Sequence, residues 1–274
     1  MARAEAASSS LTAAPVLFVG HGTPLFMPGN EARIQELGAW GATIPTPRGI
    51  VVMTPHFASR TLQLGRTGPG FAMYNLPGAF KKQLAPDLEY ATPPSDALAQ
   101  RLEGLLGHGT ERPERRGFDH TTWMPLKSLF PRASVPVVEL GYPFPSAREG
   151  FKLGRKLAPL RDEGILFMAS GGMTHNLAAG TRPGEGAGKE TPGFVTEFDA
   201  WAAEHITKRA VDELIDFRHK APAVELAHPD DGAHYRVLLV ALGIALHARS
   251  AAQTIRFPIS GIEAAQSKRC VELS

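Results

Sequence analysis

Four short apolar runs, each closed by a turn rich in glycine or proline, constrain this chain more than any other feature. They are Pro15-Val16-Leu17-Phe18-Val19 before Gly20, Ile50-Val51-Val52-Met53 before Thr54-Pro55, Val135 to Leu140 before Gly141-Tyr142-Pro143, and Ile165-Leu166-Phe167-Met168-Ala169 before Ser170-Gly171-Gly172. Short runs without polar alternation suit strands covered on both faces, as in a parallel sheet. Patterns of helical period lie between them. Ser146 followed by Glu149 is a capping-box signature, opening a helix that carries Phe151, Leu153 and Leu157. Phe194, Phe198, Trp201 and Ile206 share one face of a longer helix expected to end near Asp216. Val237 to His247 is too short and too interrupted by glycine for a membrane span, which needs about 20 residues, and reads as a buried helix.

Strands alternating with helices predict an α/β fold with a central, largely parallel or mixed sheet flanked by helices. Thr254 to Ile262 is expected to add a late edge strand. No linker divides the chain, so residues 15–274 are expected to form a single domain. Residues 1–14, rich in Ala and Ser with no apolar core segment, read as a disordered leader rather than a secretory signal, and a cytoplasmic location is expected. Two loops dense in Gly and Pro, Arg60 to Phe80 and Ala179 to Gly193, are either binding loops or plain surface excursions.

Composition narrows the function. The 29 basic and 27 acidic residues give a formal charge of +2, which argues against nucleic-acid and membrane-surface binding. Arg112, Arg115 and Arg116 are interleaved with Glu111 and Glu114, as on a solvated surface. Cys270 is the single cysteine, so no intramolecular disulfide exists. So near the C-terminus it reads as a frayed-end thiol rather than a nucleophile.

The ten histidines carry the chemistry. His21, in Gly20-His21-Gly22-Thr23-Pro24, follows the first strand directly. His56 follows the second, and His175 follows the fourth through Ser170-Gly171-Gly172-Met173-Thr174. Ligands of open α/β sheets bind outside the carboxyl ends of the strands, where these side chains can converge. Imidazoles grouped in that way suit zinc, iron, copper or nickel. In Gly117-Phe118-Asp119-His120-Thr121-Thr122-Trp123, Asp119 either orients the His120 ring or caps a helix carrying Trp123 and Leu126. Ala227-His228-Pro229-Asp230-Asp231-Gly232-Ala233-His234 places a further histidine at the start of the buried helix. His108, His205, His219 and His247 have ordinary contexts. No G-x-S-x-G elbow, Walker loop, G-x-G-x-x-G after a strand, H-E-x-x-H or cysteine-rich zinc pattern is present.

These segments resemble the class III extradiol ring-cleavage dioxygenases, in the branch containing DOPA 4,5-dioxygenases. The resemblance runs from about Val16 to Leu246. It includes the His21 segment, Thr54-Pro55-His56, Tyr74-Asn75-Leu76-Pro77-Gly78, Asp119-His120 with Trp123, Pro125 and Leu126, and Lys220-Ala221-Pro222 with His228-Pro229 before His234. Its most specific part runs from Leu153-Gly154 through Leu157-Ala158-Pro159-Leu160-Arg161-Asp162-Glu163-Gly164 to Ser170-Gly171-Gly172-Met173-Thr174-His175-Asn176-Leu177.

The resemblance implies that His21, His56 and His234 bind the metal. It implies that His175 is an acid/base beside the metal or a fourth ligand, and that His120 lines the substrate and oxygen pocket. It also implies Fe(II) for activity, with Zn(II) as an alternative bound ion, and a small aromatic diol and O2 as reactants. The chain departs from the family pattern in having Thr121 where Gly is usual, Ala233 where Glu is usual and Val237 where Pro is usual. These changes bear on substrate shape more than on metal binding. A zinc-dependent hydrolase on the same histidines is the alternative chemistry, because zinc accepts the same ligands and activates water.

Overall fold

The computed structural model describes residues 13–22, 30–65, 90–107, 110–112, 117–143, 146–179, 191–263 and 265–274. In chain order the elements are β1 (Val16–Gly20), α1 (Glu31–Gly41), β2 (Gly49–Met53), a 3-10 turn at Pro55–Phe57, β3 (Gln63–Leu64), α2 (Asp96–Leu106), α3 (His120–Leu129), β4 (Val137–Gly141), α4 (Ala147–Leu157), α5 (Pro159–Asp162) and β5 (Ile165–Gly171). The C-terminal part adds α6 (Gly193–Thr207), α7 (Val211–Ile215), α8 (Phe217–Lys220), α9 (Val224–Ala227), α10 (Ala233–His247), β6 (Ile255–Arg256), β7 (Ile262–Glu263), β8 (Gln266–Ser267) and β9 (Val271–Leu273).

Seven strands form one mixed sheet in the order β3-β4-β2-β5-β1-β9-β6. The four apolar runs are its parallel centre: β2 pairs with β4 and β5, and β5 with β1. The strands β3, β9 and β6 add antiparallel edges. Period-two alternation explains why these strands are apolar throughout. Val16 and Phe18 of β1 join a core on one face with α4, α6 and α10, whereas Leu17 and Val19 join a second core with α1 and α3 on the other.

Helices α4 and α10 pack with their backbones in close approach. A Cβ at Gly154 would lie 2.2 Å from the Val240 carbonyl, and one at Gly243 would lie 2.3 Å from that of Phe151. The same pressure reaches the sheet, since a Cβ at Gly171 would meet the His234 carbonyl at 2.2 Å. The N-terminal end of α10 is thereby seated on the end of β5, and Gly172 N donates to His234 O at 3.0 Å.

Several expectations change. The helix expected to run to Asp216 stops at Thr207, because Arg209 turns the backbone to φ 54° before α7 begins. The late edge strand shrinks to β6, and Ile262 pairs instead in the separate β7-β8 hairpin. Cys270 is no frayed thiol: it is fully buried, next to β9, which lies antiparallel on β1. The leader through residue 12, residues 66–80 and 180–190 of the two loops, Thr23-Pro24 and the Tyr74 to Gly78 motif lie outside the described residues. Of the arginine cluster, Arg112 is described, and it pairs with Glu103 and Asp96 at the surface. Among the described residues, no helix is long and apolar enough to cross a membrane.

Candidate active site

Each candidate histidine owes its position to a chain reversal at the carboxyl end of the sheet. His21 is the first residue beyond β1, and its amide donates to Gly171 O at 2.9 Å. His56 sits in the 3-10 turn after β2, which Thr54 caps by accepting the His56 amide on its hydroxyl at 3.2 Å. His234 is the second residue of α10, entered through Gly232 at φ 75°. His120 opens α3, with Asp119 as N-cap. His175 follows β5, its amide held by Ala227 O at 2.8 Å.

His21, His56 and His234 form a nearly equilateral triangle, with ring centroids 5.6, 5.4 and 5.5 Å apart. One nitrogen of each lies within 4.8 Å of the others. His21 Nδ1 lies 3.1 Å from Gly22 O, which assigns it the proton and leaves Nε2 as the lone-pair donor. That Nε2 is buried without a hydrogen-bond partner among the described residues, as are both ring nitrogens of His234. Leaving several buried imidazole nitrogens unsatisfied is costly unless something binds them.

Electrostatics agree. Burial, reinforced by the neighbouring histidines, holds His21 and His234 well below the usual histidine value and therefore neutral. Neutral buried nitrogens at this spacing fit a divalent transition metal, which requires deprotonated donors.

Two more histidines flank the triangle. His120 lies against His56 with centroids 4.9 Å apart, and burial lowers its pKa. His175 stacks on His234, centroids 3.5 Å apart and planes 10° from parallel. Burial lowers the His175 pKa from 6.5, while Asp230, whose Oδ2 lies 3.3 Å from its Nδ1, acts in the opposite direction. All five singled-out histidines are thus gathered in one place.

Asp119 caps α3 and stands nearer to His56 than to His120, whose Nδ1 makes no hydrogen bond among the described residues. Its Oδ1 caps α3 by accepting the Thr121 amide at 2.9 Å, and lies 3.5 Å from His120 Nδ1. It lies closer still, at 3.3 Å, to Nδ1 of His56. Burial by itself would raise the carboxyl pKa. The hydrogen bond and charge of His56, then His120 and Thr121, outweigh burial and keep Asp119 ionised. A carboxylate behind an imidazole fixes its tautomer and raises its basicity as a ligand.

Sequence reasoning missed three supports. Arg33, buried in α1, donates to Gly20 O at 2.7 Å and Lys268 O at 3.0 Å, clamping the strand end that carries His21 to the C-terminal segment. His228 is fully buried, with Nε2 2.8 Å from Met173 O, and so braces the loop leading to His175. Asn176 reinforces that brace by donating to Leu226 O at 2.8 Å. Only His228 left a signal, by lying in the segment before His234. Arg33 sits 12 residues from His21 in an unremarkable helical pattern.

Similarity to known proteins points the same way. The family model described as the catalytic LigB subunit of aromatic ring-opening dioxygenase matches residues 21–266. The chain belongs to this family. Among curated relatives, a 4,5-DOPA dioxygenase extradiol from Escherichia coli (strain K12) is 34% identical over 267 residues, covering 93% of this chain and 92% of the relative. One of the same name from Beta vulgaris is 32% identical over 238 residues, covering 83% and 85%. Among solved structures, an uncharacterized protein, JW3007, from Escherichia coli K12 superposes with a TM-score of 0.77 at 30% identity, over 95% of this chain and all of that one. Fold, family and relatives make this chain an extradiol ring-cleavage dioxygenase, a metal-dependent class acting on an aromatic substrate with O2.

Proposed function

We propose that His21, His56 and His234 hold a non-haem Fe(II), and that the enzyme opens a DOPA-like or related catechol ring next to its diol. The observation that carries this reading is the triangle of imidazoles in which His21 and His234, both buried, leave ring nitrogens without hydrogen-bond partners among the described residues. Ferrous iron held there would supply the redox chemistry that joins a diol to dioxygen. Zn(II) binds the same donor set and is the alternative resident ion.

Around that centre the side chains divide the work. His175, neutral near pH 7 because burial lowers its pKa, accepts the proton of a catechol hydroxyl and later returns it. Asp230 faces its Nδ1, which directs proton transfer to Nε2. His120, 13% exposed, donates a hydrogen bond to a substrate or oxygen atom on the other side of the triangle. Three uncharged imidazoles would leave the charge of a bound divalent ion uncompensated, which would favour binding of the deprotonated diol.

Metal content and turnover of single variants test these roles. His21→Ala, His56→Ala and His234→Ala should each lose bound metal. His175→Ala should retain it while turnover falls by about 10²- to 10⁴-fold, the range for a lost general acid/base. Loss of metal from His175→Ala would instead make His175 a ligand. Full metal in the three ligand variants would refute the proposed centre.

A further inference from the structure

The residue behind His56 is itself held by a closed circuit of polar contacts. The His56 amide donates to Thr54 Oγ1 at 3.2 Å. Thr54 Oγ1 lies 2.6 Å from Thr121 Oγ1, and Thr121 Oγ1 donates to Asp119 Oδ1 at 2.6 Å. Asp119 Oδ1 faces His56 Nδ1 at 3.3 Å, returning the circuit to the residue where it began.

Proton counting allows one direction around it. Thr121 Oγ1 gives its single hydroxyl proton to Asp119 Oδ1. Thr54 must then donate to Thr121, and its remaining lone pair takes the His56 amide. The same carboxylate requires the proton of His56 to be on Nδ1, which leaves the lone pair on Nε2. Thr54, Thr121 and Asp119 are at most 2% exposed, so water does not substitute for these three. Ser170 Oγ also donates to Thr121 O at 2.6 Å, fastening the circuit to β5.

We infer that Thr121 is a positioning residue: its hydroxyl aims the Asp119 carboxylate and so fixes the tautomer and orientation of His56. This rests on the reading of His56 as a metal ligand. It concerns a position where the chain carries a side chain that a glycine would lack. Thr121 touches no reacting atom and acts only through Asp119 and His56.

The test uses the full-length protein freed of metal, with zinc alone as probe. Zinc affinity is measured by chelator competition, and the His56 tautomer by imidazole nitrogen NMR. Thr121→Val keeps the shape and removes the hydroxyl; Thr121→Ser keeps the hydroxyl. The valine variant should bind zinc about 10-fold more weakly or worse, in line with losses on removing outer supports of a metal ligand, and its His56 should populate both tautomers. The serine variant should restore both readouts. Should Thr121→Val unfold, Thr54→Val, which breaks the circuit one step further away, must weaken zinc binding in the same direction. Wild-type zinc affinity and a single Nδ1–H tautomer in a folded Thr121→Val would overturn the inference. His56→Ala separates the two readings: undiminished zinc binding there removes His56 as a ligand, while the tautomer measurement still decides whether Thr121 positions it.

Discussion

At the residue scale, His228 shows how a histidine serves this site without entering it. Burial lowers its pKa to about 4, despite the raising effect of the Met173 carbonyl, so it stays neutral when folded. In the unfolded chain it titrates near 6.5. The folded value is depressed, so its contribution is full above pH 6.5 and is lost as pH falls from there through 4. The unfolded state alone takes up the proton in that window. The complete effect is worth about 3 kcal/mol. Urea midpoints measured from pH 7 to pH 4 should therefore fall more steeply for the wild type than for His228→Gln, which is already weakened at pH 7. Parallel slopes would show that His228 carries no such linkage. Its presence in the segment before His234 was visible from sequence, but its role was not: a carbonyl 55 positions away in the chain supplies its hydrogen bond.

At the scale of elements, the close contact between α4 and α10 determines where His234 stands. Gly154 and Gly243 let the two backbones meet, and no methyl group fits between them. Gly154→Ala should destabilise the fold by about 1–3 kcal/mol, the usual cost of overpacking. It should also weaken metal binding by shifting the helix on which His234 rides. Denaturant midpoints and metal titration check both effects; an unchanged midpoint would mean that the helices separate freely. The strands and the capping box of α4 were legible because their signals are local: apolar runs closed by turns, and Ser146 Oγ accepting the Glu149 amide at 3.2 Å. The break after Thr207 was not legible, because the apolar pattern continues through Leu214 while Arg209 adopts a left-handed backbone that its side chain does not announce. Likewise, Asp119 was readable as a cap, but its place behind His56 depends on how α3 meets the turn after β2.

At the scale of the whole molecule, the C-terminus completes the sheet and supports the site. Strand β9 covers the edge of β1, burying Cys270, Val271 and Leu273, and Lys268 accepts from the arginine that holds Gly20. Nothing in three apolar residues at a chain end distinguishes a central strand from a frayed tail, so the pairing could be seen only in three dimensions. Deleting residues 269–274 removes two large buried side chains, worth roughly 3–6 kcal/mol, from a domain of ordinary stability near 5–15 kcal/mol. The truncated chain should lose its cooperative thermal transition, and a wild-type melting curve would contradict this account of the fold. The central chemical claim is that the gathered histidines serve oxygen-dependent ring opening rather than hydrolysis. It is tested most directly by loading the metal-free protein anaerobically with ferrous iron, adding a catechol and then a measured amount of oxygen. The account predicts about one O2 consumed per ring opened, with a yellow product appearing in step, as an extradiol reaction requires. Product formation without oxygen uptake, or turnover with zinc alone, would contradict it.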